Sequence, residues 1–170
     1  MSPRPLPRQQ AQTVIEQELV DQRGMLDLPI DPIALAEQLG IRVGYSSTLG
    51  EGVSGVIVKN ENDEHPRIYL NSRDAPVRQR FTAAHEIGHH FSRTYEDGSK
   101  YGFVDSRDDL ASSGKDPNER WANQFAAELL MPAFAVRKFF GDGLSESRLA
   151  REFGVSEQAM HYRLVNLRLA

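Results

Sequence analysis

Five consecutive residues, His85-Glu86-Ile87-Gly88-His89, constrain this chain more than any other feature of its sequence. Two imidazoles four places apart act together only on a helix, where about 100° per residue brings positions i and i+4 onto one face. The neighbours Phe81, Ala83, Ala84 and Ile87 are apolar, which predicts a half-buried helix. Gly88 in a helix interior costs roughly 1 kcal/mol relative to alanine. That cost makes sense where a second backbone must pass close. Glu86 lies about 100° from His85 and about 60° from His89, at the flank of their shared face.

Such a pair points to a divalent cation. The chain has no cysteine, so disulfides and thiolate sites are excluded and a transition metal must use His, Asp or Glu. Zn²⁺ favours imidazole nitrogen, and a catalytic zinc takes three protein ligands with one position left open. Mn²⁺ accepts the same kind of donors. A carboxylate at the flank can take a proton from the water that such an ion activates. His85 and His89 are therefore candidate ligands and Glu86 the candidate general base. His90 points about 100° away from His89 and makes a poor third ligand.

The third ligand is sought downstream, where Glu119 and Glu128 share a predicted helix over residues 116–131. Nine steps of about 100° amount to half a turn beyond whole turns, so only one of them can face the metal. Around Glu119 lie Ala122, Asn123 and Ala126, small enough for close helix approach, with Gly88 as the counterpart. Trp121 and Phe125 crowd the side nearer Glu128. Glu119 is the choice, and Asn123, one turn on, is placed to fix a ligand histidine by a hydrogen bond. A local role competes, because Asp116-Pro117-Asn118-Glu119 also fits a capping box.

The rest of the chain frames these residues. Residues 1–8, with three prolines and two arginines, form an expected flexible tail. Residues 9–170 form an expected single domain. Apolar spacing predicts a helix over 9–23. Asp31-Pro32 marks the N-terminus of another, ending at Gly40. Runs at 41–43, 53–58 and 67–70 are rich in β-branched residues and predict three strands of one small sheet. A helix follows over 74–92, then a polar loop over 95–115. Two short helices, 145–153 and 156–167, hinge at Gly154 within a C-terminal pair spanning 144–170. The order of helices, strands and helices makes the fold class α+β.

A formal net charge of -4 argues against a general electrostatic grip on nucleic acid. The opening residues lack a signal peptide's apolar stretch, and no segment has the ~20 apolar residues of a membrane span. A cytoplasmic protein is the expectation.

Arg80-Phe81-Thr82-Ala83-Ala84-His85-Glu86-Ile87-Gly88-His89-His90, with the run from Glu119 through Glu128 to Pro132, resembles the ImmA/IrrE family of metallopeptidases. The stretches 33–41, 52–55 and 149–156 are similar to it as well, so the resemblance covers most of the chain. It implies a zincin-like fold with a small sheet, the H-E-x-x-H helix and a second ligand helix. It implies His85, His89 and Glu119 as metal ligands and Glu86 as catalytic base. It further implies a protein substrate, a helix-turn-helix transcriptional repressor. Trp121 departs from the second acidic residue that relatives carry there.

The C-terminal pair has the outline of a helix-turn-helix, with Ala150, Gly154 and a Ser156 cap. From residue 144 on, its four arginines face three glutamates, too little excess charge for a DNA reader. Apolar Val155, Ala159, Tyr162, Leu164, Val165 and Leu167 are expected to pack on the core instead, and direct nucleic-acid binding is not expected. His161 and Tyr162 are further candidates to reach the cleft and steady an oxyanion. Two rival readings stand beside the zinc endopeptidase. One is a DNA-binding regulator with a structural metal, and the other a toxin–antitoxin interaction module with a degenerate site. The intact Glu86 argues against degeneracy.

Overall fold

The computed structural model describes residues 3–96, 101–106 and 116–170, the strand 101–106 by its backbone alone. It is an α+β arrangement of helices around one small sheet. Helix α1 (Pro7–Val14) continues into a π-helical turn, Ile15–Leu19. Helix α2 (Pro32–Gln38) starts where Asp31 accepts hydrogen bonds from the amides of Ile33 and Ala34 at 3.0 and 3.1 Å. That cap satisfies amides left over at a helix N-terminus.

Strands β1 (Arg42–Ser46), β2 (Val53–Lys59), β3 (Arg67–Asn71) and β4 (Tyr101–Ser106) form the sheet in the order β1-β3-β2-β4. β3 runs parallel to β1, while β2 is antiparallel to both β3 and β4. In this register Ile57 faces Ile68, and both are fully buried together with Leu70. They present one apolar face of the sheet to helix α3 (Pro76–Thr94). The three expected strands are present, and β4 is a fourth, inside the segment expected to be loop. The rest of that expected loop lies outside the described residues, apart from its first two.

Helix α4 (Pro117–Leu130) packs along α3. Their contacts show them antiparallel: Phe81 and Ala127 line one cavity, and Gly88 lies against Ala122. A methyl group on Gly88 would sit 3.1 Å from the Ala122 Cα and 3.2 Å from its carbonyl oxygen. The glycine thus permits the close backbone approach that its cost in helix propensity foreshadowed. α1 packs on the far side of α4.

Helices α5 (Ala133–Gly141), α6 (Glu146–Phe153) and α7 (Glu157–Asn166) complete the described chain. Ser145 and Ser156 cap α6 and α7, and Gly154 between them is left-handed at φ 64°. Two arginines fasten this pair to the core. Arg80 of α3 donates to the carbonyls of Gly154 and Ile30, while Arg163 of α7 donates to the Met131 carbonyl at 2.9 Å and pairs with buried Glu128. Burial lowers the Arg80 pKa, and the charge of Asp31 offsets part of that. Val155, Leu164 and Leu167 pack inward as expected, but Tyr162 and Val165 are 57% and 45% exposed. They fall on the solvent side because Met160, Arg163 and Leu164 occupy the inward stripe of α7.

Residues 1 and 2 of the expected tail over 1–8 lie outside the described residues, and the rest of it is corrected. α1 begins at Pro7, a residue suited to the first helical position. Before it, Arg4 and Pro5 are held by hydrogen bonds to α3 and α4. No helix among the described residues is long and apolar enough to cross a membrane.

Candidate metal centre

α3 supplies both histidines from its middle, where every backbone amide has an intrahelical partner. His85, Glu86 and His89 are fully buried. The imidazole Nε2 atoms of His85 and His89 stand 3.0 Å apart, with the ring planes nearly perpendicular at 84°. Glu119 reaches them from the first turn of α4: its Oε2 lies 3.0 Å from His85 Nε2, and its Oε1 lies 3.0 Å from His89 Nε2. The Glu119 side chain is 17% exposed, so the cluster opens toward solvent on one side.

These three residues suit a divalent cation. Their donor atoms converge within 4.8 Å of one another, two neutral-capable nitrogens and one carboxylate. Neighbouring ligands on a tetrahedral Zn²⁺ with bonds of about 2.0–2.1 Å lie about 3.3 Å apart, close to the separations seen. The capping-box alternative for Glu119 is not realised. Asp116 alone caps α4, accepting from the Asn118 amide at 2.8 Å, while Glu119 turns to the histidines.

Glu86 sits beneath strand β2. A methyl group on Gly55 would lie 3.3 Å from Glu86 Oε1 and only 2.5 Å from Thr82 Cγ2. Strand and helix therefore touch directly at the candidate base, and no larger residue fits at Gly55. Sequence reasoning did not single out Gly55 as part of the site. Its signal was a glycine within a run of β-branched strand residues, a mark of close backbone approach.

Other expectations fare differently. Asn123 Oδ1 is buried and has no hydrogen-bond partner among the described residues, so the expected bond from a ligand histidine's N–H is not formed. Being one turn along α4 from Glu119 gives Asn123 the right face without the reach. His90 stays outside the cluster, and burial, helped by Lys59, pushes its pKa down to about 4, which keeps it uncharged at neutral pH. His161 pairs with Glu146 on the exposed side of α7 at 3.1 Å. Tyr162 instead lines a cavity of about 390 Å³ between the start of α3, the end of α4 and α7, with Phe81, Ala127, Met131, Val155 and Ala159. Phe81 lies one helical turn before His85, about 6 Å along the axis.

Residues 36–165 match the family described as the IrrE N-terminal-like domain, Peptidase_M78. The chain belongs to this family. The match makes this IrrE-like chain a member of a peptidase family and spans the sheet, both helices of the centre and the C-terminal pair. Among solved structures, a Mycobacterium tuberculosis transcriptional regulator is similar at a TM-score of 0.59 and 16% identity. That likeness covers 93% of this chain and 46% of the regulator, so the chain spans about half the regulator's length. At that identity the likeness bears on fold alone. No curated protein matches the IrrE-like chain by sequence.

Proposed function

We propose that this IrrE-like domain is a zinc-dependent endopeptidase that cuts a specific protein in the cytoplasm, a helix-turn-helix transcriptional repressor. The observation that carries the reading is the meeting of two buried imidazoles and one carboxylate at 3.0 Å, with the Glu86 carboxylate buried on the adjoining turn. His85, His89 and Glu119 hold the ion, and two nitrogens among three donors favour Zn²⁺ over Mn²⁺. Bound there, Zn²⁺ supplies Lewis acidity, polarising the scissile carbonyl and acidifying water.

The remaining chemistry belongs to the chain. Glu86 takes the proton of the attacking water on a carboxylate oxygen and passes it to the departing amine. Burial beneath β2 excludes bulk water from that carboxylate and fixes its position. The cavity between α3, α4 and α7, which Phe81 links to the turn before His85, offers apolar walls to substrate side chains.

Arg163 counts against a DNA-binding reading. This arginine of the second C-terminal helix is buried against Glu128 and is not available to phosphate.

The test is incubation of the purified protein with helix-turn-helix repressors encoded near its gene, with zinc or with a chelator. Mass spectrometry of the products identifies the cut. Glu86→Gln is expected to lower cleavage by roughly 10²–10⁴-fold while zinc uptake persists. Equal activity in wild type and Glu86→Gln would sink the enzymatic reading.

A further inference from the structure

The two ligand helices hold their donors unequally. His85 and His89 are mid-helix residues of α3, whereas Glu119 is the third residue of α4. A first turn lacks the intrahelical amide bonds that steady the interior. Beside the Asp116 cap, the N-terminal segment ties this turn to α3.

Arg4 Nη1 donates at 3.1 Å to Ser92 Oγ on α3 and at 3.0 Å to Asn118 Oδ1 on α4. Ser92 is fully buried and follows His89 by three residues, and Asn118 immediately precedes Glu119. One guanidinium thus joins the helix carrying two ligands to the turn carrying the third. The contact is doubly braced. The Arg4 guanidinium lies over the Trp121 ring, 5.4 Å from its centroid, and Trp121 Nε1 donates to the Pro5 carbonyl at 3.1 Å. The stacking orients the planar cation toward its two acceptors.

We infer that Arg4 is a positioning residue for the metal centre, clamping the first turn of α4 so that Glu119 meets His85 and His89. This rests on the zinc reading above. Trp121, at a position where relatives were expected to carry an acidic residue, then serves as the clamp's seat.

The experiment is zinc titration in competition with a chromophoric chelator, on wild type, Arg4→Ala, Arg4→Lys and Asn118→Ala, with the melting temperature of each metal-free protein recorded alongside. Removing a group that orients a ligand typically weakens metal binding by roughly 10–100-fold. That loss is expected for Arg4→Ala and, in smaller measure, for Asn118→Ala. Arg4→Lys keeps the charge and donors and is expected to recover part of it. Wild-type affinity in both alanine variants overturns the inference, even if their melting temperatures fall, because the contact is then merely structural. A wild-type protein that takes up no zinc overturns the metal reading itself, a separate result. Should Arg4→Ala fail to fold, Asn118→Ala decides, since it removes the α4 acceptor and leaves Arg4 in place.

Discussion

Glu119 and Glu128 share helix α4, nine residues apart, and their surroundings could hardly differ more. Glu128 is 1% exposed and has an internal cation: Arg163 pairs with it, and the Ala133 amide and the Gln12 side chain donate to its other oxygen. Glu119 is partly open, and two imidazole nitrogens stand 3.0 Å from its oxygens. A carboxylate already neutralised within the protein holds the fold together. One that meets two imidazole nitrogens completes a donor set suited to a cation from solution. The same residue type on the same helix thus serves structure at one end and chemistry at the other.

The sharpest way to break this contrast is Arg163→Ala. It strands the buried Glu128 charge and is expected to cost about 3–5 kcal/mol, seen as a lower urea midpoint. Replacing both partners by apolar residues of similar size should restore most of it. A loss below about 1 kcal/mol would mean that Glu128 is solvated and the contrast false. Next comes zinc itself. At about 100 times its dissociation constant, zinc should stabilise the wild type by about 2.7 kcal/mol. Glu119→Ala should abolish that gain while changing metal-free stability little, and the double apolar replacement at Glu128 and Arg163 should keep it. Differential scanning calorimetry with and without a chelator separates the cases. The smallest effect sharpens the geometry between the ends. Gly88→Ala forces α3 and α4 apart at Ala122 and should cost about 1–3 kcal/mol, with zinc affinity falling as Glu119 is moved from the histidines.

What the sequence made legible is what local chemistry decides. The shared face of the α3 histidines follows from helical rotation, which also lets only one of Glu119 and Glu128 face them. The small residues around Glu119 decide between the two. Asp31, Asp116 and Ser156 announce their helix starts because capping is a contact over two or three residues. Strand β4 was missed. Tyr101-Gly102-Phe103-Val104-Asp105-Ser106 carries little β-branched pattern and takes its conformation from pairing with β2, more than forty residues earlier. Arg4 was hidden for the same reason. A proline-rich start has no periodicity to read, and its acceptors at Ser92 and Asn118 lie 88 and 114 residues away. Asn123 failed in the opposite sense, since rotation about a helix gives a direction but not whether a side chain reaches its target.

The contact between Gly55 and Thr82 leaves no cushion between sheet and helix. Softer interfaces absorb a push by rotating side chains, but hard surfaces already touching must move together. Pressure on β2 would therefore be passed to the α3 turn that carries Glu86. Grip on the sheet and aim of the carboxylate become one mechanical variable, and a bulkier residue at position 55 would throw that aim off even with every ligand in place.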